Sequence, residues 1–234
     1  MRVVLAALLV SLGVCAPALA QARVVAPAAS LTFAEQPRNP RPPPHIPFDF
    51  RAYAHLDEVW MTASQSFEAV LGTSSLTAGG VGMDVVDLWR GAFARVGFSR
   101  MGGYGSRVFV AGGSVIPVNV PVAVRIRTLE LGAGWRFILP KRPAYTIYGG
   151  VDLLRVGYTE VSDFATEDEN APVGFWGRAV FGGVEVTVWK RLIAGGEVQF
   201  RSVPNALGEA GVSAVYHDTN LGGFVIRGLI GFRK

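Results

Sequence analysis

The sequence predicts an all-β fold, specifically an eight-stranded antiparallel up-and-down transmembrane β-barrel with both termini periplasmic. The last strand carries the clearest signal, because Phe224, Ile226, Gly228, Ile230 and Phe232 share one face with a period of two. Most of the rest of the chain fits the same alternation. Half of the chain is apolar and 17% is charged, yet we find no long apolar run after the first twenty residues. A transmembrane barrel hides its hydrophobicity in this way, whereas a helical membrane protein does not.

Residues 1–20 have the pattern of a signal peptide, with Arg2, an apolar stretch over 3–14 and the small residues Ala18 and Ala20 before a cleavage point. The only cysteine, Cys15, lies in this segment, and its lipidation is an open alternative although the preceding Val14 is bulky for a lipoprotein box. Residues 21–49 are rich in proline and predict an extended periplasmic linker. A docking peptide is the alternative for this linker.

Residues 50–234 divide into eight predicted strands, at 51–62, 76–88, 90–100, 122–137, 145–159, 174–189, 191–203 and 220–232. The second, fourth and sixth strands are each followed by a tight turn. The remaining connections each exceed ten residues. Short turns at one end and long loops at the other are typical of an outer-membrane barrel, and an even strand count puts both termini at the short-turn end. Within the long loops, 64–71 and 204–211 predict short helical segments.

The faces of the strands predict an inside-out barrel. One face of each strand is apolar enough for lipid, and the other carries charge, which is the reverse of a soluble barrel. Arg125, Arg127 and Arg178 fall on the apolar face, so we expect them above the bilayer, with a β-bulge as the alternative. We expect a luminal charge network formed by Asp57, Asp84, Arg95, Glu130, Arg136, Asp152, Glu185, Glu197, Arg201 and Arg227, with His55 and Gln199 beside them.

Aromatic residues cluster near the ends of the predicted strands. Such clusters are typical of the aromatic girdles at the two membrane interfaces. At the short-turn end we predict a girdle of Trp89, Trp135, Phe137, Tyr145 and Trp189, and toward the other end lie Trp60, Tyr158, Phe175 and Trp176.

Three motifs resemble the small eight-stranded outer-membrane barrels of the OmpA/OmpW-like type: Tyr145 to Val151, Phe181 to Glu185 and Gly222 to Phe232. The resemblance covers residues 50–234. It implies that Phe224, Ile226, Ile230 and Phe232 form the signal read by the barrel assembly machinery. This chain departs from the pattern by continuing to Arg233 and Lys234.

An eight-stranded barrel has an interior barely wide enough for its own side chains. We therefore predict a plugged lumen and a structural or surface-contact role, with lipid and lipopolysaccharide as neighbours and an extracellular ligand of the long loops as a further partner. The alternatives are a channel for small solutes or hydrophobic compounds and, less favoured, a lipid A-modifying enzyme using His217, Asp218 and Ser213.

We expect no enzyme activity, no cofactor and no metal. The acidic loop of Asp163, Glu167, Asp168 and Glu169 matches no EF-hand spacing. The net charge of +4 comes without the basic and aromatic interleaving of single-strand binders, so no nucleic-acid partner is expected.

Overall fold

A computed structural model of the protein describes residues 49–162, 172–208 and 211–234. The eight strands form one closed antiparallel barrel in which each strand pairs with its neighbours in sequence and the last pairs with the first. This confirms the predicted eight-stranded antiparallel barrel, whereas the periplasmic position of the termini stays a prediction. The strands are β1 (Asp49–Met61), β2 (Ser75–Val86), β3 (Ala92–Ala111), β4 (Ser114–Leu139), β5 (Arg142–Val161), β6 (Val173–Trp189), β7 (Leu192–Ser202) and β8 (Gly223–Arg233).

The predicted signal peptide, Cys15, nearly all of the proline-rich linker and the acidic loop lie outside the described residues, so they stay predictions. Two short helices, α1 (Ser64–Leu71) and α2 (Gly211–Tyr216), lie in the described connections. None of the helices in the described parts of the chain is long and apolar enough to cross a membrane.

The pairing of β1 with β8 closes the barrel and fixes which residues meet inside it. The register runs from Arg51 opposite Arg233 to Met61 opposite Gly223, and it sets Asp57 opposite Arg227. Because side chains alternate across a strand, this register brings the charged inward residues of distant segments to one level.

The barrel is apolar outside and charged inside. Leu56 on β1 and Phe200 on β7 expose 68% and 61% of their surface, whereas Glu130 on β4 is completely buried. Burial of ionised groups together with exposure of large apolar ones is the pattern of a barrel whose outer wall contacts lipid.

The connection between β3 and β4 differs from the prediction of a long loop. The two strands instead extend into one long hairpin that turns at Gly112 and Gly113, both of which have positive φ (56° and 82°). A two-residue turn of type I′ requires positive φ at both positions, which glycine adopts without strain. The alternation was hidden by the glycines in 102–105 and by Pro117 and Pro121, which pair with β3 on either side of a register shift.

Helix α1 coincides with the predicted segment 64–71 and covers the long-loop end of the barrel. Its Phe67 is buried in an apolar cluster with inward residues of β1, β2 and β4. The helix lies so close to β3 that a Cβ on Gly105 would come within 1.9 Å of the carbonyl oxygen of Val70. The absence of a side chain at Gly105 therefore permits the helix to dock there.

The second predicted helical segment, 204–211, was wrong in position, because helix α2 begins at Gly211. Asn205 and Gly208 both have positive φ (56° and 102°), which breaks any right-handed helix across them. Loop residues Ala206 and Leu221 instead join the apolar cluster beneath α1.

Candidate functional site in the charged lumen

The barrel interior holds the predicted charge network. All ten predicted network residues are buried inside the barrel, and Arg51, His55 and Gln199 are buried with them. They form two groups of ion pairs, one centred on Arg227 and one on Arg51. Arg95 pairs with Glu197 of the first group and reaches the second through Tyr53, whose ring packs against Arg51.

Arg227 on β8 is the centre of the larger group. Its Nε and Nη2 donate to the two carboxylate oxygens of Asp57, each at 2.9 Å. Nη2 and Nη1 also donate to the two oxygens of Glu130, at 2.9 and 3.0 Å, and Nη1 lies 3.3 Å from Glu197. A guanidinium whose five N–H donors meet carboxylates in this way satisfies most of the hydrogen-bonding capacity of both partners.

A second arginine shares the same carboxylates from the long-loop side. Arg201 Nη2 donates to Glu130 at 2.7 Å, and Arg201 Nε donates to the amide oxygen of Gln199 at 2.8 Å. On the other side of Asp57, His55 Nδ1 lies 2.7 Å from its carboxylate. Each acid in this group therefore contacts more than one polar partner.

The smaller group lies toward the short-turn end. Arg51 forms hydrogen bonds with Asp84 and with Glu185, and Arg136 lies 3.5 Å from the Glu185 carboxylate. The Arg51 guanidinium is also stacked between two aromatic rings, 5.0 Å from the Tyr53 centroid and 4.8 Å from that of Tyr148.

Arg95 joins the two groups across the bore. It donates to Glu197 at 3.1 Å and to the Tyr53 hydroxyl at 2.9 Å. It also lies 3.8 Å from Asp152 and packs over the ring of Phe181, 4.2 Å from the centroid. The network thus spans the lumen from β1 to β7 through one side chain on β3.

Glycine on one strand makes room for a large or charged side chain on the next. A Cβ on Gly132 would come within 1.8 Å of Asp152 Oδ1, and one on Gly82 would come within 2.4 Å of the Tyr53 ring. Such pairing of small and large residues lets a narrow barrel fill its interior. The cavity remaining beside Arg51 and Asp84 has a volume of about 10 Å³, roughly the space of one water molecule.

On the long-loop side of the charged network lies an apolar layer. Between this layer and the two helices there is a cleft. The cleft has a volume of about 270 Å³ and is lined by Phe67, Leu71, Val122, Leu207 and Val212, with a polar side that includes Arg107, Tyr158 and Glu160. The Tyr158 hydroxyl donates a hydrogen bond to the Glu160 carboxylate.

The residues that would serve a lipid A-modifying enzyme have structural partners here. Asp218 accepts hydrogen bonds from the backbone N–H and the hydroxyl of Ser66, at 3.0 and 2.7 Å, in the first turn of α1. The hydroxyl oxygen of Ser213 accepts from the backbone N–H of Gly208 at 3.0 Å. The carboxylate that a catalytic triad would need thus helps to hold the β7–β8 connection against α1.

The aromatic residues predicted at the short-turn end all face outward and are exposed: Trp89, Trp135, Phe137, Tyr145 and Trp189. The aromatic group predicted at the other end was partly wrong. Trp60 and Trp176 face outward, but Phe175 and Tyr158 pack against the inner apolar cluster because they lie on the inward face of their strands.

Two features of the lumen were not predicted from the sequence, namely Arg51 and the luminal aromatic cluster of Tyr53, Phe93, Tyr148 and Phe181. A signal was available for Arg51. It has the same parity as His55 and Asp57 on β1, so the alternation alone places it inside. The four aromatic residues have the same parity as inward charges on their own strands, so alternation places them inside as well, but their meeting in one cluster depends on the pairing of the strands.

A closed barrel with an apolar outer wall and an ionised interior is the architecture of transmembrane β-barrel proteins. The predicted resemblance to small eight-stranded outer-membrane barrels is therefore confirmed for the fold. No family model and no curated protein sequence matches the chain. Among solved structures it is similar to Ail, the attachment invasion locus protein of Yersinia pestis, at 8% identity over 80% of this chain and 99% of that one, with a TM-score of 0.46. It is also similar to neisserial surface protein A (11% identity, 80% and 94% coverage, TM-score 0.45) and to the outer membrane protein OprG of Pseudomonas aeruginosa (12% identity, 80% and 95% coverage, TM-score 0.49).

Proposed function

We propose that this protein is an integral outer-membrane barrel with a structural or surface-contact role. We further propose that charged side chains plug its lumen, so that no solute passes through. The observation that carries the proposal is the network around Arg227, in which Asp57, Glu130 and Glu197 converge on one buried guanidinium. Opening a path for ions would separate these pairs and leave charges unpaired at a cost of about 3–5 kcal/mol for each broken pair.

The test is single-channel recording of the refolded protein in planar lipid bilayers. We expect a flat baseline. The control is Arg227→Ala combined with Glu130→Ala, which removes the bridge across the bore and should produce brief, noisy openings if the network is what blocks it. Stable, sizeable steps from the unmodified protein would refute the plug and favour the small-solute channel.

A hydrophobic conduit and a lipid A-modifying enzyme would each give a different readout. A conduit for hydrophobic compounds needs an opening in the wall, which would appear as uptake of such compounds without ion conductance. A lipid A-modifying enzyme would change the mass spectrum of lipid A when the protein is overexpressed, and we expect that spectrum to be unchanged.

The cleft beneath α1 and α2 favours a surface-contact role over a purely structural one. Its apolar lining and its polar side formed by Arg107 and Glu160 suit a small amphipathic group at the outer end of the barrel. Deleting residues 204–218 should remove contact with an extracellular partner while the barrel still assembles. Unchanged surface binding after this deletion would leave only the structural role.

A further inference from the structure

Five arginines on the outer wall of the barrel have no function in the luminal network. Arg100 on β3, Arg125 and Arg127 on β4, Arg155 on β5 and Arg178 on β6 all lie on the outward face of their strands and are exposed. No register shift occurs near any of them, so the β-bulge alternative for Arg125, Arg127 and Arg178 was wrong. We call these five residues the arginine belt.

The register places the belt residues next to one another. Arg100 is directly opposite Arg127, and Arg155 pairs with Trp176, over whose ring its guanidinium lies at 5.0 Å. Directly opposed residues on one face have Cβ atoms about 4.5–5.5 Å apart, and like charges at that separation are destabilising. In the described part of the chain, the belt has no ion pair with an acidic side chain. An anion held between Arg100 and Arg127 would relieve this repulsion.

A surface cleft of about 330 Å³ lies at the edge of the belt. It is lined by Arg100, Arg125, Thr77, Tyr104 and the side-chain-free Gly102. The cleft exists because β2 pairs with β3 only as far as Met101, which leaves the upper part of β3 without a neighbour on that side. On the far side of the cleft, Thr77 donates a hydrogen bond to Glu58 at 3.0 Å, so an acidic group marks its border.

Below the belt, toward the short-turn end, the outer wall is apolar. Phe98, Leu129, Leu131, Leu153 and Val180 are all exposed there. A molecule that satisfied both surfaces would have acyl chains along these side chains and an anionic head at the level of the guanidiniums. Guanidinium groups match phosphate oxygens with paired hydrogen bonds, which favours phosphate over a single carboxylate.

We propose that the arginine belt and its cleft bind the phosphorylated headgroup of an outer-leaflet glycolipid of the lipid A type. The proposal rests on the membrane orientation in the proposed function, because only an outward long-loop end would meet that leaflet. It adds a specific lipid-binding site to a barrel that would otherwise contact lipid only through its apolar wall.

The experiment measures lipid binding to the refolded barrel in nanodiscs of neutral phosphatidylcholine. The probes are diphosphoryl lipid A, the same lipid after removal of its phosphates, and inorganic pyrophosphate as a soluble competitor. We expect the diphosphoryl lipid to bind most tightly and to be weakened by salt, and pyrophosphate to compete only weakly because it lacks the acyl chains.

The test variant replaces Arg100, Arg125 and Arg127 with glutamine. A basic residue near an anionic lipid surface contributes about a fivefold change in affinity, so the triple variant should bind diphosphoryl lipid A about a hundredfold more weakly. The matched control replaces Arg90, Arg142 and Arg191, at the short-turn end, with glutamine. It changes the net charge equally and should leave the affinity unchanged.

Equal affinity of the belt variant and the unmodified protein, or equal binding of the two lipid forms, would overturn the inference. The same samples are checked for heat-modifiable migration and for conductance. Failure to form a closed, silent barrel defeats the proposed function, whereas a silent barrel without phosphate preference defeats only the lipid site.

Discussion

Removing the central cation of the lumen is the sharpest test of how the barrel is stabilised. In Arg227→Met a side chain of similar length replaces the guanidinium, but the five hydrogen bonds to Asp57, Glu130 and Glu197 are lost. Arg201 and Arg95 remain beside these carboxylates and compensate them only in part. We therefore expect the free energy of unfolding to fall by about 3–5 kcal/mol, the usual cost of leaving one partner of a buried ion pair uncompensated.

The assay is equilibrium unfolding by denaturant of the protein refolded in lipid vesicles. A loss of about 3–5 kcal/mol corresponds to a change of about a hundredfold to a few thousandfold in the unfolding equilibrium constant. Arg142→Met, which removes an exposed arginine from the first position of β5, is the matched control and should change stability by less than about 1 kcal/mol.

A double variant separates the charge effect from the packing effect. Adding Glu130→Gln to Arg227→Met removes one of the stranded charges, so the double variant should be more stable than the sum of the two single losses predicts. A loss below about 1 kcal/mol in Arg227→Met would refute the reasoning, because the lumen would then be hydrated enough to solvate its acids as water does.

Two further predictions concern the outer cap and assembly. Gly105→Val should displace α1, because even a Cβ at this position would meet the carbonyl oxygen of Val70 at 1.9 Å. We expect faster hydrogen exchange over 64–71 with little change in barrel stability. The control Gly79→Ala, whose Cβ would lie 3.9 Å from its nearest neighbour, should have no effect on either. Phe232→Ala should lower the yield of barrel assembled in cells but not the yield refolded in detergent. The control Phe200→Ala, which removes an exposed aromatic ring from β7, should leave both yields unchanged. If Phe232→Ala lowered both yields equally, Phe232 would act through stability and would not be an assembly signal.

The strand count and the inward residues were predictable because alternation is a local property of the sequence. On β1, the period of two that exposes Leu56 also buries His55 and Asp57, and no distant contact is needed to know it. The ion-pair partner of each inward charge could not be predicted in this way. That Arg227 meets Asp57 depends on the register of β8 against β1, and the two residues are separated by 170 positions.

The β3–β4 hairpin escaped prediction because its strand character depends on its partner. Pro117 and Pro121 each lack a backbone donor, and the glycines of the facing strand have weak strand propensity, so neither segment looks like a strand by itself. Paired through the bulge near Ser106, the two segments form a continuous ladder up to the Gly112–Gly113 turn. Local propensity described each segment correctly but could not anticipate the hairpin that the two segments form together.

The same alternation that places Asp57 inside the barrel places Arg127 outside it. The energetic consequence of a charged residue therefore depends on which face of the strand it occupies. An inward charge at mid-barrel must find an opposite charge within the chain, and Asp57 does so with Arg227. An outward charge in the middle of the wall would face hydrocarbon at a cost of about 2–4 kcal/mol, which falls to about 0–1 kcal/mol near an interface. The belt arginines lie on the long-loop side of the apolar wall, where that cost is small. A directly opposed pair such as Arg100 and Arg127 nevertheless repels, and an anion held between the guanidiniums would turn this repulsion into attraction.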